Sequence, residues 1–223
     1  MIEENVPLKK YVIENFRLLS EIIGPNIVRR RNDPIPLTVM IDVEDHRRYF
    51  EDLGNRLKGH TNRCVISFVD LYKKTVSNTR ELMMKEPTDM EMHFLAHNLS
   101  SIAKDYGMEI VSCSESIDLD FDGVSHGCCI DRNLIEEIVG YKIDVKKDKN
   151  QRKECGCVES VDLGAYNTCL HACKYCYANF SNMKVQTLSK KHNPLSTLLV
   201  GDLDNNDIVS ERKVRLLKNN SLF

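Results

Sequence analysis

Nine cysteines stand in a chain of 223 residues, and all but Cys64 fall between Cys113 and Cys176. Thiols gathered so densely must be paired, ligated or packed away, so this segment limits the fold more than any hydrophobic pattern does. The N-terminus, MIEENVPLKKY, carries acidic residues and lacks the apolar stretch of a secretory leader. That implies a cytoplasmic protein whose thiols stay reduced, where cysteine clusters serve metal binding or redox chemistry rather than disulfides.

Composition narrows the field. Hydrophobic residues make up 42% and charged residues 29%, an ordinary globular balance. Lys and Arg number 31 against 33 Asp and Glu, a net charge of −2, unlike the strongly basic surface of a nucleic-acid-coating protein. No apolar run approaches the roughly 20 residues that span a bilayer, so no membrane is expected.

Residues 1–145 alternate helical and strand patterns. Val12, Phe16, Leu19 and Ile23 recur at helical spacing before Gly24-Pro25. A strand is expected over 26–30, ending at the turn Asn32-Asp33-Pro34. A helix is expected over about 42–58, with Phe50, Leu53 and Leu57 on its apolar face, and then a buried strand from Cys64. Thr88 and Glu91 form a capping box ahead of the stripe Met92, Leu95, Leu99 and Ile102, with Gly107 as the stop. A strand over 108–112 and a helix over 133–139, closed by Gly140, follow. Helices between strands predict right-handed βα units, hence an α/β fold with a partial, barrel-like parallel sheet. Residues 146–154 read as a charged linker, 155–188 as a cysteine-rich iron–sulfur segment, and 189–223 as a polar helical tail. Alternation along the strand sends Arg30 to the side opposite Arg29 and Arg31.

The strongest motif is Cys169-Leu-His-Ala-Cys173-Lys-Tyr-Cys176, a C-x3-C-x2-C spacing. Three thiolates this close can ligate three irons of a [4Fe-4S] cluster and leave the fourth iron open. This resembles the radical S-adenosylmethionine enzymes, in which the open iron binds the cofactor and an aromatic residue before the third cysteine, here Tyr175, lies near its adenine. Zinc is the competing reading, since Cys173 and Cys176 make a C-x2-C knuckle that Cys155 and Cys157 can complete. Cys169 has no use in such a knuckle. Cys113, Cys129, Cys155 and Cys157 are candidate ligands of a second cluster or a zinc ion, with Cys128 left as a spare.

The stretches CGCVESVDLGAYNTCLHACKYCYANF (155–180), NDPIP (32–36), CVISFVDLYKKT (64–75), SCSESIDLDFDGVSHGCCIDRNLIEEIVG (112–140) and HNPLSTLLVGDLDNNDI (192–208) together resemble the family called domain of unknown function 1848. The resemblance implies a barrel-like βα fold and a C-terminal cysteine cluster similar to that of radical S-adenosylmethionine proteins. The chain departs from it in lacking an Arg-rich opening strand, and in having Leu170 and Ala172 where Pro and Gly are usual. It therefore resembles the C-terminal part of a member, and a separate N-terminal fragment is an expected partner.

In βα barrels chemistry gathers at the C-terminal ends of the strands. That rule selects Arg31 and Asp33, then Asp70, then Cys113 and Glu115, with a fourth strand expected over 158–163. Asp33, Asp70 and Glu115 are the candidate catalytic carboxylates; their competing role is to cap loops or pair with cations. A radical reaction would also need an electron donor such as ferredoxin or flavodoxin, and an unknown substrate.

Overall fold

A computed structural model describes residues 2–218, apart from the Lys74 side chain. Four parallel strands, β1 (Arg30–Ile35), β2 (Arg63–Phe68), β3 (Glu109–Cys113) and β4 (Ser125–Gly127), pair in sequential order. Helices α1 (Lys9–Ile23), α2 (Val43–Leu57) and α4 (Asp89–Asp105) alternate with them, after the short α3 (Lys73–Thr79); α5 (Arg132–Val139) and α6 (Asn182–Ser189) follow.

Capping sets the helix starts. Asp42 accepts from the Glu44 and Asp45 amides at the head of α2, and Thr88 and Glu91 close the expected capping box on α4. Each cap contributes about 1 kcal/mol. Gly140, with φ of 73°, stops α5 where expected.

Side chains alternate across the sheet, and its two faces have opposite characters. Cys64, Ile66, Phe68 and Ile110 face Phe50 of α2 and Leu95, Ala96, Leu99 and Ala103 of α4 in one buried core. Arg30 points into this layer, as the alternation requires, and is 4% exposed. The opposite face carries the buried Val65 and Val111 together with Arg31, Asp33, Ser67 and Cys113, which are held by polar contacts.

Several expectations change. The first strand lies later than 26–30 and contains Asn32, Asp33 and Pro34, which were expected as a turn. As an edge strand β1 has no partner to lose at Pro34, and the ladder shifts register between Asn32 and Ile35 to absorb an extra residue. Residues 158–163 form no strand; Val161 and Leu163 are exposed, and the short β4 takes the fourth position. The stripe of α1 is turned outward, since Val12, Leu19 and Ile23 are exposed while Ile13 and Ser20 are buried. The tail is not helical among the described residues. Ile208, Val209 and Val214 are exposed there, leaving no packed face to hold a helix.

The chain divides into two compact units. Among the described residues, 7–71, 80–160 and 218 hold the sheet, and 2–6, 72–79 and 161–217 form the smaller unit. The segment read as a linker belongs to the sheet unit and folds back as an antiparallel arm. There the Asp148 amide donates to the Cys157 carbonyl at 2.9 Å, and Glu159 to Lys146 at 2.9 Å. No described helix is long and apolar enough to cross a membrane.

Candidate metal centres

In the smaller unit the three cysteines of the C-x3-C-x2-C motif share one loop. The Cys176 amide donates to the Cys173 carbonyl at 3.1 Å, a tight turn that draws the second and third cysteines together. Asn179 Nδ2 holds the Cys169 carbonyl at 2.7 Å, and Asn167 Oδ1 accepts from the Phe180 amide at 2.5 Å. Ala172 and Asn167 sit at φ of 55° and 59°, left-handed conformations that most side chains avoid. The usual family glycine at Ala172 would adopt this conformation without strain, so the departure seen in the sequence falls on a constrained position. Outside the loop, the Lys174 amide donates to the Ile2 carbonyl at 2.9 Å, and Cys173 forms an isolated bridge with Glu3.

Cys169 is exposed and Cys173 and Cys176 are half-buried, so all three thiols are open to a ligand. Burial pushes the Cys173 thiol up, helped by the Glu3 charge. Tyr175 directs its hydroxyl to the Glu3 carboxylate, and burial followed by that carboxylate keeps its proton on. Beside the loop lies a cavity of about 350 Å³, lined by Glu4, Asn78, Cys173, Lys174, Asn179 and Asn182 among others. Asn78 reaches it from α3, a residue that nothing in the cysteine spacing selected.

The sheet unit assembles a second group. Cys113 ends β3 and pairs in register with Gly127 of β4, so the turn after β4 brings Cys129 back beside it. Their sulfurs are 2.8 Å apart, and Arg31 Nη1 donates to the Cys129 sulfur at 2.9 Å. Cys157 lies near enough to Cys129, and Cys155 to Cys157, for each pair to affect the other's titration. The Ile130 amide donates to the Cys157 sulfur at 3.3 Å. The Cys113 and Cys129 thiols titrate as a pair: their mutual hydrogen bond, against the opposing effect of burial and with help from Arg31, lowers Cys129. The same bond pushes Cys113 up. Cys128 lies outside these contacts, and burial raises its thiol.

The candidate carboxylates all have partners. Asp33 pairs with Arg31 and accepts from the Ser67 hydroxyl. Asp70 meets Arg152 at 2.5 Å, an exposed pair that contributes no more than about 1 kcal/mol. Glu115 accepts from the Phe68 amide at 2.8 Å, and burial raises its carboxyl, with the Asp70 charge adding to the effect. Among the described residues, no group of three or more His, Cys, Asp and Glu side chains stands arranged to hold a metal ion as it is.

A family model described as a domain of unknown function (DUF1848) matches residues 1–178. No curated protein matches the chain, and no solved structure does.

Proposed function

Since the chain belongs to the domain of unknown function 1848 family, we propose that it is an iron–sulfur protein of radical S-adenosylmethionine type, with Cys169, Cys173 and Cys176 as ligands of a [4Fe-4S] cluster. One observation carries this reading: three accessible thiols on one constrained loop, next to a polar cavity of about 350 Å³. The donor set fits. Three thiolates satisfy three irons, and the soft sulfur ligands suit iron–sulfur over hard cations. When bound, such a cluster supplies one electron to the sulfonium of the cofactor.

The protein's own residues do the positioning. Asn179 and Asn167 hold the loop through main-chain atoms on either side of the three cysteines. Glu4 and Lys174 line the cavity, and the Lys174 ammonium would pair with the carboxylate of S-adenosylmethionine, whose amino group would go to the open iron. Asn78, Asn179 and Asn182 add amide donors and acceptors suited to ribose hydroxyls. The cavity lies within the usual range for small-molecule sites, roughly 300–1,000 Å³. Tyr175, whose hydroxyl Glu3 anchors, would be the aromatic residue near the adenine of the cofactor. A ferredoxin or flavodoxin supplies the electron.

The test is electron paramagnetic resonance of the anaerobically purified, reduced protein, with and without S-adenosylmethionine. A cubane signal that shifts on adding the cofactor is expected. A cubane signal indifferent to the cofactor would make the cluster a closed structural staple and remove the case for an enzyme.

A further inference from the structure

From the thiols of the sheet unit we infer that Cys113, Cys129, Cys155 and Cys157 form a closed four-thiolate site for a single soft divalent ion of the zinc class. It is separate from the loop of Cys169, Cys173 and Cys176 and independent of any radical chemistry there.

Three separate pieces of chain supply these sulfurs: the end of β3, the turn after β4, and the segment whose Cys155 and Cys157 flank Gly156. Parallel pairing of Cys113 with Gly127 fixes the first two. Close backbone approach fixes the rest. A β-carbon on Gly156 would lie 3.3 Å from that of Cys128 and 3.5 Å from the Gly127 carbonyl. A β-carbon on Gly127 would lie 2.7 Å from Val111 Cγ2. The two glycines therefore let residues 127–129 and 155–157 pack together against β3, which draws the thiols into one group.

The hydrogen bonds around the group are those of metal thiolates. Cys157 accepts from the main-chain amides of Ile130 and Cys129, and Cys129 accepts from Arg31. Such outer contacts orient sulfur ligands and offset the negative charge of a four-thiolate site. Cys155 and Cys157 are each 5% exposed, so two buried thiols would otherwise face other thiols with little access to solvent.

The one sulfur pair in contact favours a single ion. Zinc–sulfur bonds of about 2.3 Å in a tetrahedron place the sulfurs about 3.8 Å apart. The Cys113 and Cys129 sulfurs, at 2.8 Å, need to part by only about 1 Å to reach that spacing. Around a cubane, whose irons stand at separate corners, they would have to move much further. A single ion is the smaller rearrangement. With all four positions taken by protein, the ion is structural, clamping the arm at 155–157 to the end of the sheet.

Co(II) is the probe, added to reduced chain carrying Cys169→Ala, Cys173→Ala and Cys176→Ala so that only this site is read. About one Co(II) per chain, with the intense sulfur-to-metal absorption of a tetrahedral thiolate site, is expected. Adding Cys113→Ser or Cys157→Ser should weaken binding by about a hundredfold or more, whereas Cys128→Ser should leave it unchanged. Co(II) binding that ignores Cys113 and Cys157, or no binding by fully reduced thiols, would overturn the assignment. Should these variants fail to fold, alkylation of the unsubstituted chain with and without zinc gives the same answer residue by residue. Zinc should protect Cys113, Cys129, Cys155 and Cys157 but not Cys128; equal labelling of all five with and without zinc would overturn the site. Either result stands whatever metal the other three cysteines hold.

Discussion

Arg30 lies flat over Phe50, its guanidinium carbon 3.8 Å from the ring centroid, and gives an Nη1 hydrogen to the Phe50 carbonyl at 3.2 Å. The pair buries a cation between sheet and helix while Arg30 Nη2 has no hydrogen bond among the described residues. A buried charge so incompletely satisfied contributes little net stability, and an apolar side chain of similar length should replace it without loss. Arg30→Met is expected to change unfolding free energy by about 1 kcal/mol or less. Phe50→Ala, which empties a position 1% exposed, should cost about 3–5 kcal/mol. Urea unfolding of both variants checks the contrast.

Gly54 and Tyr106 set the approach of α2 to the end of α4. A β-carbon on Gly54 would stand 2.7 Å from the Tyr106 ring. Helix propensity favours Ala over Gly by about 1 kcal/mol, but overpacking against a stiff ring costs about 1–3 kcal/mol. Gly54→Ala should therefore destabilise, and combining it with Tyr106→Ala should remove the penalty. A double-mutant cycle of melting temperatures measures that coupling.

Glu136 is the carboxylate whose titration should show in stability. Lys142, then Arg132 and the Ile143 amide, hold it down to about 2. Its side chain is 7% exposed because those two long basic side chains cover it. A carboxyl depressed in the folded state contributes stability above the unfolded value, near 4.3, and loses it as pH falls toward about 2. Glu136→Gln should thus be less stable than the parent at pH 7, with the difference closing over pH 4 to 2. Denaturation across that range checks it.

Cys64 offers a chemical marker for the core. It is fully buried beneath α4, and burial pushes its thiol up to about 11. In the cluster-free, reduced chain at pH 8 it should resist iodoacetamide while Cys169 reacts, and become labelled only on unfolding. Mass spectrometry of timed alkylation gives the order.

Legibility in the sequence followed local chemistry. The Thr88–Glu91 box, the Phe50 and Leu57 face and the Gly140 stop were readable because caps and apolar spacing act within a few residues. Strand limits were not. Asn32-Asp33-Pro34 looks like a turn until an edge position and a register shift accommodate it, and residues 158–163 look like a strand until the arm takes up Val158. The stripe of α1 was a real helix pattern, but which side faces the core depends on packing that the pattern does not encode. At the sites, grouping Cys113, Cys129, Cys155 and Cys157 rested on two cysteines flanking Gly156 and two from separate loops; the structure sets the Cys113 and Cys129 sulfurs 2.8 Å apart. Arg31 as a partner of Cys129, and Asn78 beside the Cys173 cavity, come from contacts across long sequence separations that no motif announces.

The central claim is that Cys169, Cys173 and Cys176 hold an iron–sulfur cluster. Its most direct test counts iron and acid-labile sulfide in the anaerobically purified chain and in the Cys169→Ala, Cys173→Ala, Cys176→Ala variant. About four iron and four sulfide per chain in the parent, lost in the variant, is the predicted result. A parent without sulfide, or a variant with the parent's content, would contradict it.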